Sequence, residues 1–397
     1  MVNTDIAVIG GGPAGLAAAI AARRKSFRVT VYDPIVPPAD KACGEGLMPD
    51  GLAALARVGV RIGDADSFPF RGIRFVDRGV SVAADFPAGP GRGVRRTTLH
   101  RLLAEHAEAA GVELRWGTRV DLDGLKCGWT IGADGGNSRV RKWAGLDRGM
   151  RERWRFGFRR HYRVEPWGEH VEIYWGAGYQ LYITPVTTDS VCVAAISRDS
   201  RLRLDEALGG FPELCRRLKR GGVIGDDRGG VSASRRLETV CRGRVALVGD
   251  ASGSVDAITG EGLCLAFQHA VAVVEAIAAG DLAGYARKHR EMARRPEWMG
   301  KVLVTLGEHA GLRRAAMRAL RAQPRIFAKL LAVHVGAVYE MESSTFAGCF
   351  AGFGDGVVWA GDGGRIRSGP DSGEVHAQCH ASHCERIVPT DAREGAL

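Results

Sequence analysis

Residues 10–15, Gly-Gly-Gly-Pro-Ala-Gly, follow the apolar run 5–9 and open the alanine-rich stretch 16–24, and this juxtaposition constrains the fold more than any other feature. A short continuous apolar run reads as a strand buried on both faces, and the alanines favour a helix. A second run, 28–32, ends at Asp33. Strand, glycine turn, helix and strand form a βαβ unit, with Gly10, Gly12 and Gly15 at the three positions of the dinucleotide-binding G-x-G-x-x-G pattern. The first glycine permits the tight turn, the second lets the backbone approach a pyrophosphate, and the third lets helix and strand touch. Pro13 and Ala14 begin a helix whose N-terminus attracts the anion. Asp33 is placed to accept a hydrogen bond from an adenosine ribose and to repel a 2'-phosphate, which leaves NAD or FAD.

Beyond this unit, a glycine-punctuated loop is expected over 41–50 and a short helix over 51–58. Alternation at 72–76 and 80–83 predicts paired strands, and leucine and alanine at helical spacing predict a helix over 97–110. Runs 112–116 and 129–132 read as strands, the latter leading into Ala-Asp-Gly-Gly-Asn-Ser-Arg. From 151 to 197 the pattern is β-rich. A further buried strand at 244–248 precedes Gly-Asp-Ala-Ser-Gly, and an apolar helix follows over 263–278. Amphipathic, arginine-rich helices are expected over 282–335, and the glycine-rich, aperiodic stretch 338–397 is expected to be poorly ordered.

The chain has 397 residues and a formal net charge of +10. Its arginines are scattered, with no aromatic-interleaved nucleic-acid module, so no DNA or RNA partner is expected. Nine cysteines at irregular spacing indicate reduced thiols and a cytoplasmic protein. No run reaches the roughly 20 apolar residues of a membrane span. His376, Cys379, His380, His383 and Cys384 offer donor types that bind zinc, but not in the two separated knuckles of a structural site, so no metal is expected.

Two later motifs carry a family resemblance. Ile-Gly-Ala-Asp-Gly-Gly-Asn-Ser-Arg-Val-Arg at 131–141 and Arg-Val-Ala-Leu-Val-Gly-Asp-Ala-Ser-Gly at 244–253 are similar to the second and third fingerprints of the glutathione-reductase-type FAD fold, shared by single-component aromatic hydroxylases and geranylgeranyl reductases. The resemblance implies an FAD-dependent oxidoreductase. Asp134 and Gly135 would sit at the FAD pyrophosphate, and Gly249 with Asp250 at a ribityl hydroxyl. Backbone amides of Gly260, Gly262 and Leu263 would face the flavin, and Arg96, with Arg95 as rival, would contact FAD from the head of its helix. Cys43 and Glu45 fall where hydroxylases usually place an arginine and reductases a cysteine-glycine pair, and they are the candidate catalytic residues. Gly253 stands where most aromatic hydroxylases have histidine. Both departures lean toward reductases, whereas the loops 41–51 and 249–263 together resemble bacterial FAD-dependent monooxygenases of secondary metabolism.

The implied fold class is α/β: an FAD-binding Rossmann-like domain (1–72, 93–150 and 240–281), a β-rich substrate domain (73–92 and 151–239), C-terminal helices (282–337) and the tail. The favoured activity is an FAD monooxygenase using NADPH or NADH as transient reductant and O2 to hydroxylate or epoxidise an aromatic or polyketide-like molecule. The alternative is a reductase of an isoprenoid-type double bond, for which the basic helices would touch an anionic membrane. A non-catalytic flavin-binding redox sensor is the reading from another class. No W-x-W-x-I-P stretch of a flavin halogenase is present. Of Trp154, Phe156, Phe158, Tyr174, Trp175, Tyr179 and Tyr182, alternation predicts that about half face the flavin.

Overall fold

The structure, a computed structural model, describes residues 4–148 and 151–337. The expected poorly ordered tail and its histidines and cysteines lie outside the described residues. A six-stranded sheet is assembled from five separated stretches, in the order Cys241–Arg242, Val245–Leu247, Cys127–Gly132, Thr4–Ile9, Val29–Asp33, Glu113–Trp116. Its inner pairs are parallel: Ile6 is in register with Val29 on one side and Trp129 on the other. Both faces are covered. The Pro13–Arg24 helix buries Leu16 to Ala22, and the Gly262–Ala279 helix buries most of its length. That explains why the strands are apolar without alternation. The second helix has the length and composition of a membrane span, but 67% of it is buried in this core.

The second large sheet has seven strands, ordered Val223–Arg236, Arg151–Tyr162, Ser190–Ser197, Tyr179–Thr187, His170–Trp175, Gly72–Asp77, Val80–Asp85. One face packs on Leu204, Leu208, Leu214 and Leu218 of two short helices. Part of the other meets Met317, Phe327 and Leu331 of the C-terminal helices. The aromatics divide between these faces. Phe158, Tyr174 and Tyr179 belong to the leucine-covered side, Tyr182 and Trp175 to the opposite side, and Trp154 is 48% exposed.

The loop expected over 41–50 contains a two-residue strand, Gly46–Leu47, paired with Gly91–Gly93. The helix after it begins at Pro49. Leu282–Glu308, Ala310–Ala322 and Pro324–His334 form the expected C-terminal helices.

Candidate functional site

Local sterics explain the first glycine motif. Gly10 has φ +109°, and a Cβ there would lie 2.4 Å from the Ala133 carbonyl oxygen; one at Gly15 would lie 1.9 Å from the Gly10 oxygen. Gly11, which the pattern leaves free, is equally restricted, because a Cβ would strike the Trp116 ring at 2.2 Å. Asp33 accepts from the Gly11 amide at 2.6 Å and the Ile35 amide at 2.7 Å. The turn is pinned from behind by His100: its Nδ1 accepts from the Ala39 amide at 3.0 Å, so its Nε2–H donates to the Gly11 carbonyl at 2.7 Å. Burial holds the His100 pKa down, which favours this neutral tautomer.

The other two fingerprints converge on the same sheet edge. Asp134 turns its carboxylate onto its own helix, accepting from Ser138 Oγ at 2.5 Å and the Arg139 amide at 2.6 Å. Ser138 caps that helix. Gly135, beside Asp134, has φ +76°. Buried Arg141 donates to the Gly136 carbonyl at 2.7 Å and the Ala251 carbonyl at 3.0 Å, tying the second fingerprint to the third. Asp250 pairs with Lys41 at 3.0 Å. Its surroundings desolvate the carboxylate, but Lys41, Arg96 and Arg235 outweigh that and hold its pKa below the usual value. Gly253 has φ +104°, and a Cβ there would lie 2.6 Å from the Arg235 carbonyl. Histidine has no room at this position.

A Cβ added at Gly12, Gly44, Gly135, Gly260 or Gly262 would meet nothing within 4 Å. These glycines present open backbone, and the buried Nε atoms of Arg95 and Arg96 have no hydrogen-bond partner. Gly262 and Leu263 open an 18-residue helix, whose first amides lack intrahelical acceptors. Bare backbone, unpartnered guanidinium nitrogens and a helix N-terminus fit an anionic dinucleotide.

Glu45 is 1% exposed, and its backbone has φ +59°. Its carboxylate accepts from the Arg96 amide at 2.9 Å, at the start of the Arg96–Ala109 helix. His161 Nδ1 faces Arg159 Nη1 at 3.0 Å, and a guanidinium only donates, so Nε2–H of His161 donates to Glu45 at 2.6 Å. Arg159 continues to Asp40, and Asp40 to Arg228. Glu45 thus enters a buried network through Arg96, His161 and Arg159. These contacts anchor the loop that carries it. Cys43 remains at the loop's open edge. Its sulfur accepts from the Glu45 amide at 3.3 Å, and desolvation pushes its thiol pKa up against the pull of Arg96.

Above this loop the seven-stranded sheet presents Thr184, which donates to the Gly44 carbonyl at 2.7 Å, and Cys192, which donates to the Cys43 carbonyl at 3.7 Å. Tyr182 bonds the Ile258 carbonyl at 2.6 Å, and buried Arg155 forks onto Asp256 at 2.9–3.1 Å. These contacts clamp residues 256–258 to the sheet.

Sequence reasoning missed His100, Lys41, Arg141 and a buried acid cluster. Glu261, 0% exposed, has no hydrogen-bond partner on either carboxyl oxygen and lies 3.4 Å from His334 Nδ1. Asp50 accepts from Gln268 at 3.0 Å and Arg295 at 3.2 Å. Burial first, then Asp50, pushes the Glu261 pKa well up; burial pushes Asp50 up despite Arg295. Only the adjacency of Glu261 to Gly260 and Gly262 marked it.

Residues 4–59 match the family described as pyridine nucleotide-disulphide oxidoreductase. Over 327 residues the chain is 29% identical to menaquinone reductase of Mycobacterium tuberculosis, covering 71% of this chain and 78% of that one. It is 28% identical to digeranylgeranylglycerophospholipid reductase of Methanosarcina acetivorans, covering 70% and 77%. Rifampicin monooxygenase of Streptomyces venezuelae is 32% identical, but over 36% of this chain and 34% of that one. Among solved structures, the flavin-dependent brominase Bmp2 superposes with TM-score 0.73 at 19% identity, covering 88% of this chain and 98% of that one, a likeness of fold. The chain is an FAD-dependent oxidoreductase with a Rossmann-type FAD-binding domain and a substrate domain. It resembles both the single-component flavoprotein monooxygenases and the geranylgeranyl reductase group.

Proposed function

We propose that this enzyme reduces a double bond or quinone ring in an apolar, polyprenyl-type substrate, drawing electrons from NADH or NADPH. The observation that carries this reading is the Cys43–Gly44 edge: a thiol, held by the Glu45 amide, beside open backbone, as the candidate proton donor to the substrate. Similarity at 28–29% identity over about 70% of the chain to two reductases supports it. So does Gly253, where the aromatic hydroxylases usually carry histidine.

FAD, when bound, supplies hydride to the substrate. The chain's own residues do the rest. Gly10, Gly12 and Gly15 with the Pro13–Arg24 helix would hold the pyrophosphate, and Asp33 the ribose. Asp250 would hold the ribityl chain. Glu45, through Arg96 and His161, fixes the loop that carries Cys43. Tyr182 and the Arg155–Asp256 pair fix residues 256–258, and the amides of Gly260, Gly262 and Leu263 just beyond would face the flavin.

Monooxygenation of an aromatic or polyketide-like molecule is the second reading, favoured by the partial likeness to rifampicin monooxygenase. It would use the same cradle but no protein acid at Cys43. The two separate in an anaerobic experiment on photoreduced protein. Reoxidation of the flavin by a prenylated quinone or polyprenyl alkene without oxygen supports reduction. Reoxidation that needs oxygen and is tuned by a phenolic compound supports monooxygenation.

A further inference from the structure

We propose that the outer face of the last two helices is a docking surface for anionic lipid, lying against the membrane through five arginine and lysine side chains. Residues 309–339 contain no aspartate or glutamate. Within them the Ala310–Ala322 and Pro324–His334 helices turn Met317, Phe327 and Leu331 inward, along with Arg313, which is buried on Asp77 at 2.9 Å. Arg314, Arg318, Arg321, Arg325 and Lys329 are all exposed, and among the described residues none has an ion-pair partner. Within the first helix Arg314, Arg318 and Arg321 are spaced four and three apart, and within the second Arg325 and Lys329 four apart, so in each helix the cations share one face.

Acids on neighbouring elements do not neutralise this face. Asp77 is taken by Arg313, Asp85 by Arg71 and His170, and Glu308 by Arg198. Some surface cations elsewhere are paired, such as Arg287 with Asp281, Lys288 with Glu275, and Arg160 with Asp205 and Asp227, while others, such as Arg61, Arg119 and Lys301, stand singly among the described residues. What sets this segment apart is density: five exposed cations fall within sixteen residues of a stretch that holds no acid.

Lipid headgroups suit it better than nucleic acid. Phe327, the one aromatic residue in the two helices, is buried, so the stripe offers bases nothing to stack on. A row of point charges along two successive helices matches a plane of headgroup phosphates. The inner faces of the same helices pack on the seven-stranded sheet, with Phe327 against Phe75 at 5.3 Å between ring centroids and Phe75 against Trp175 at 5.8 Å. Ile258, beside the flavin-facing loop, packs with Trp175. The lipid-docking helices thus roof the same sheet that covers the candidate site. This docking does not depend on which reaction the site performs.

The test is co-sedimentation of the full flavin-loaded chain with phosphatidylcholine vesicles, with and without phosphatidylglycerol, at low and high salt. Binding is expected only with phosphatidylglycerol and should fall as salt rises. Each cation removed should weaken partitioning about fivefold, so R314Q/R318Q/R321Q should bind about a hundredfold less and R325Q/K329Q about twentyfold less, with flavin content unchanged. R287Q/R290Q on the preceding helix should bind as the parent does. The proposal is overturned if the parent stays in solution with anionic vesicles, or if the stripe variants bind as it does. Equal weakening by R287Q/R290Q would also overturn it, since net charge would then suffice. So would tighter, stripe-dependent binding to a DNA duplex in the same salt.

Discussion

Acidification should destabilise this fold through His289. His289 is nine-tenths buried beneath the third fingerprint, stacked on His269 at 4.1 Å. Its Nε2 lies 2.9 Å from Ser252 Oγ, and that hydroxyl donates to the Gly249 carbonyl at 2.7 Å. Burial first, then Arg290, lowers its pKa to about 4 from 6.5. The unfolded chain therefore binds this proton from pH 6.5 downward, while the folded chain resists until about pH 4. Stability linked to neutral His289 is fully present above pH 6.5 and is lost as pH falls through that window, reaching about 3 kcal/mol at pH 4. Asp50 and Glu261 act in the opposite sense, because their raised folded pKa values make the folded state take up protons first. The gap between wild type and His289→Gln isolates the histidine. Urea unfolding should show the variant weaker by roughly 1–2 kcal/mol at pH 7 from imperfect packing, and the gap should close or invert by pH 4. An unchanged gap at both pH values would refute the argument.

Four further outcomes follow from the same geometry. Asp250→Ala should bind FAD roughly ten- to a hundredfold more weakly, read as flavin retained after gel filtration; full retention would mean the third fingerprint is not a cofactor contact. Gly253→Ala should lower stability by about 1–3 kcal/mol in thermal unfolding, because its Cβ meets the Arg235 carbonyl and its φ is +104°. Cys43→Ala should keep its flavin and its rate of reduction by NAD(P)H but lose at least roughly a hundredfold in substrate turnover, which stopped-flow absorbance separates. Glu261→Gln should be more stable than the parent at pH 8 with little difference at pH 4. A carboxyl whose folded pKa is raised contributes stability that is present below its ordinary value and lost as pH rises through the folded one. Calorimetry at both pH values checks this.

The parts legible in sequence are those where chemistry is local. Gly10 and Gly15 are dictated by close backbone approach within a few residues or a neighbouring strand, and the parallel strands announce themselves as apolar runs. Features set by distant partners were not legible. The Val223–Arg236 strand carries glycines and charges without alternation and exists because it pairs along Arg151–Tyr162. Alternation showed that the aromatics of 154–182 divide, but not which half faces inward, since that depends on which side the 204–218 helices cover. Nothing near Glu45 in sequence discloses that His161, 116 residues on, meets its carboxylate. His100 falls on the buried side of an ordinary amphipathic helix, and only the folded turn reveals its grip on Gly11.

The most direct test of the central claim is the mass of the product formed when the flavin-loaded enzyme and NAD(P)H act on a polyprenyl quinone or polyprenyl alkene under isotopically labelled oxygen. Reduction predicts a product heavier by two hydrogens, with no labelled oxygen and an unchanged yield when oxygen is removed. A product carrying one labelled oxygen atom, formed only in its presence, would contradict it.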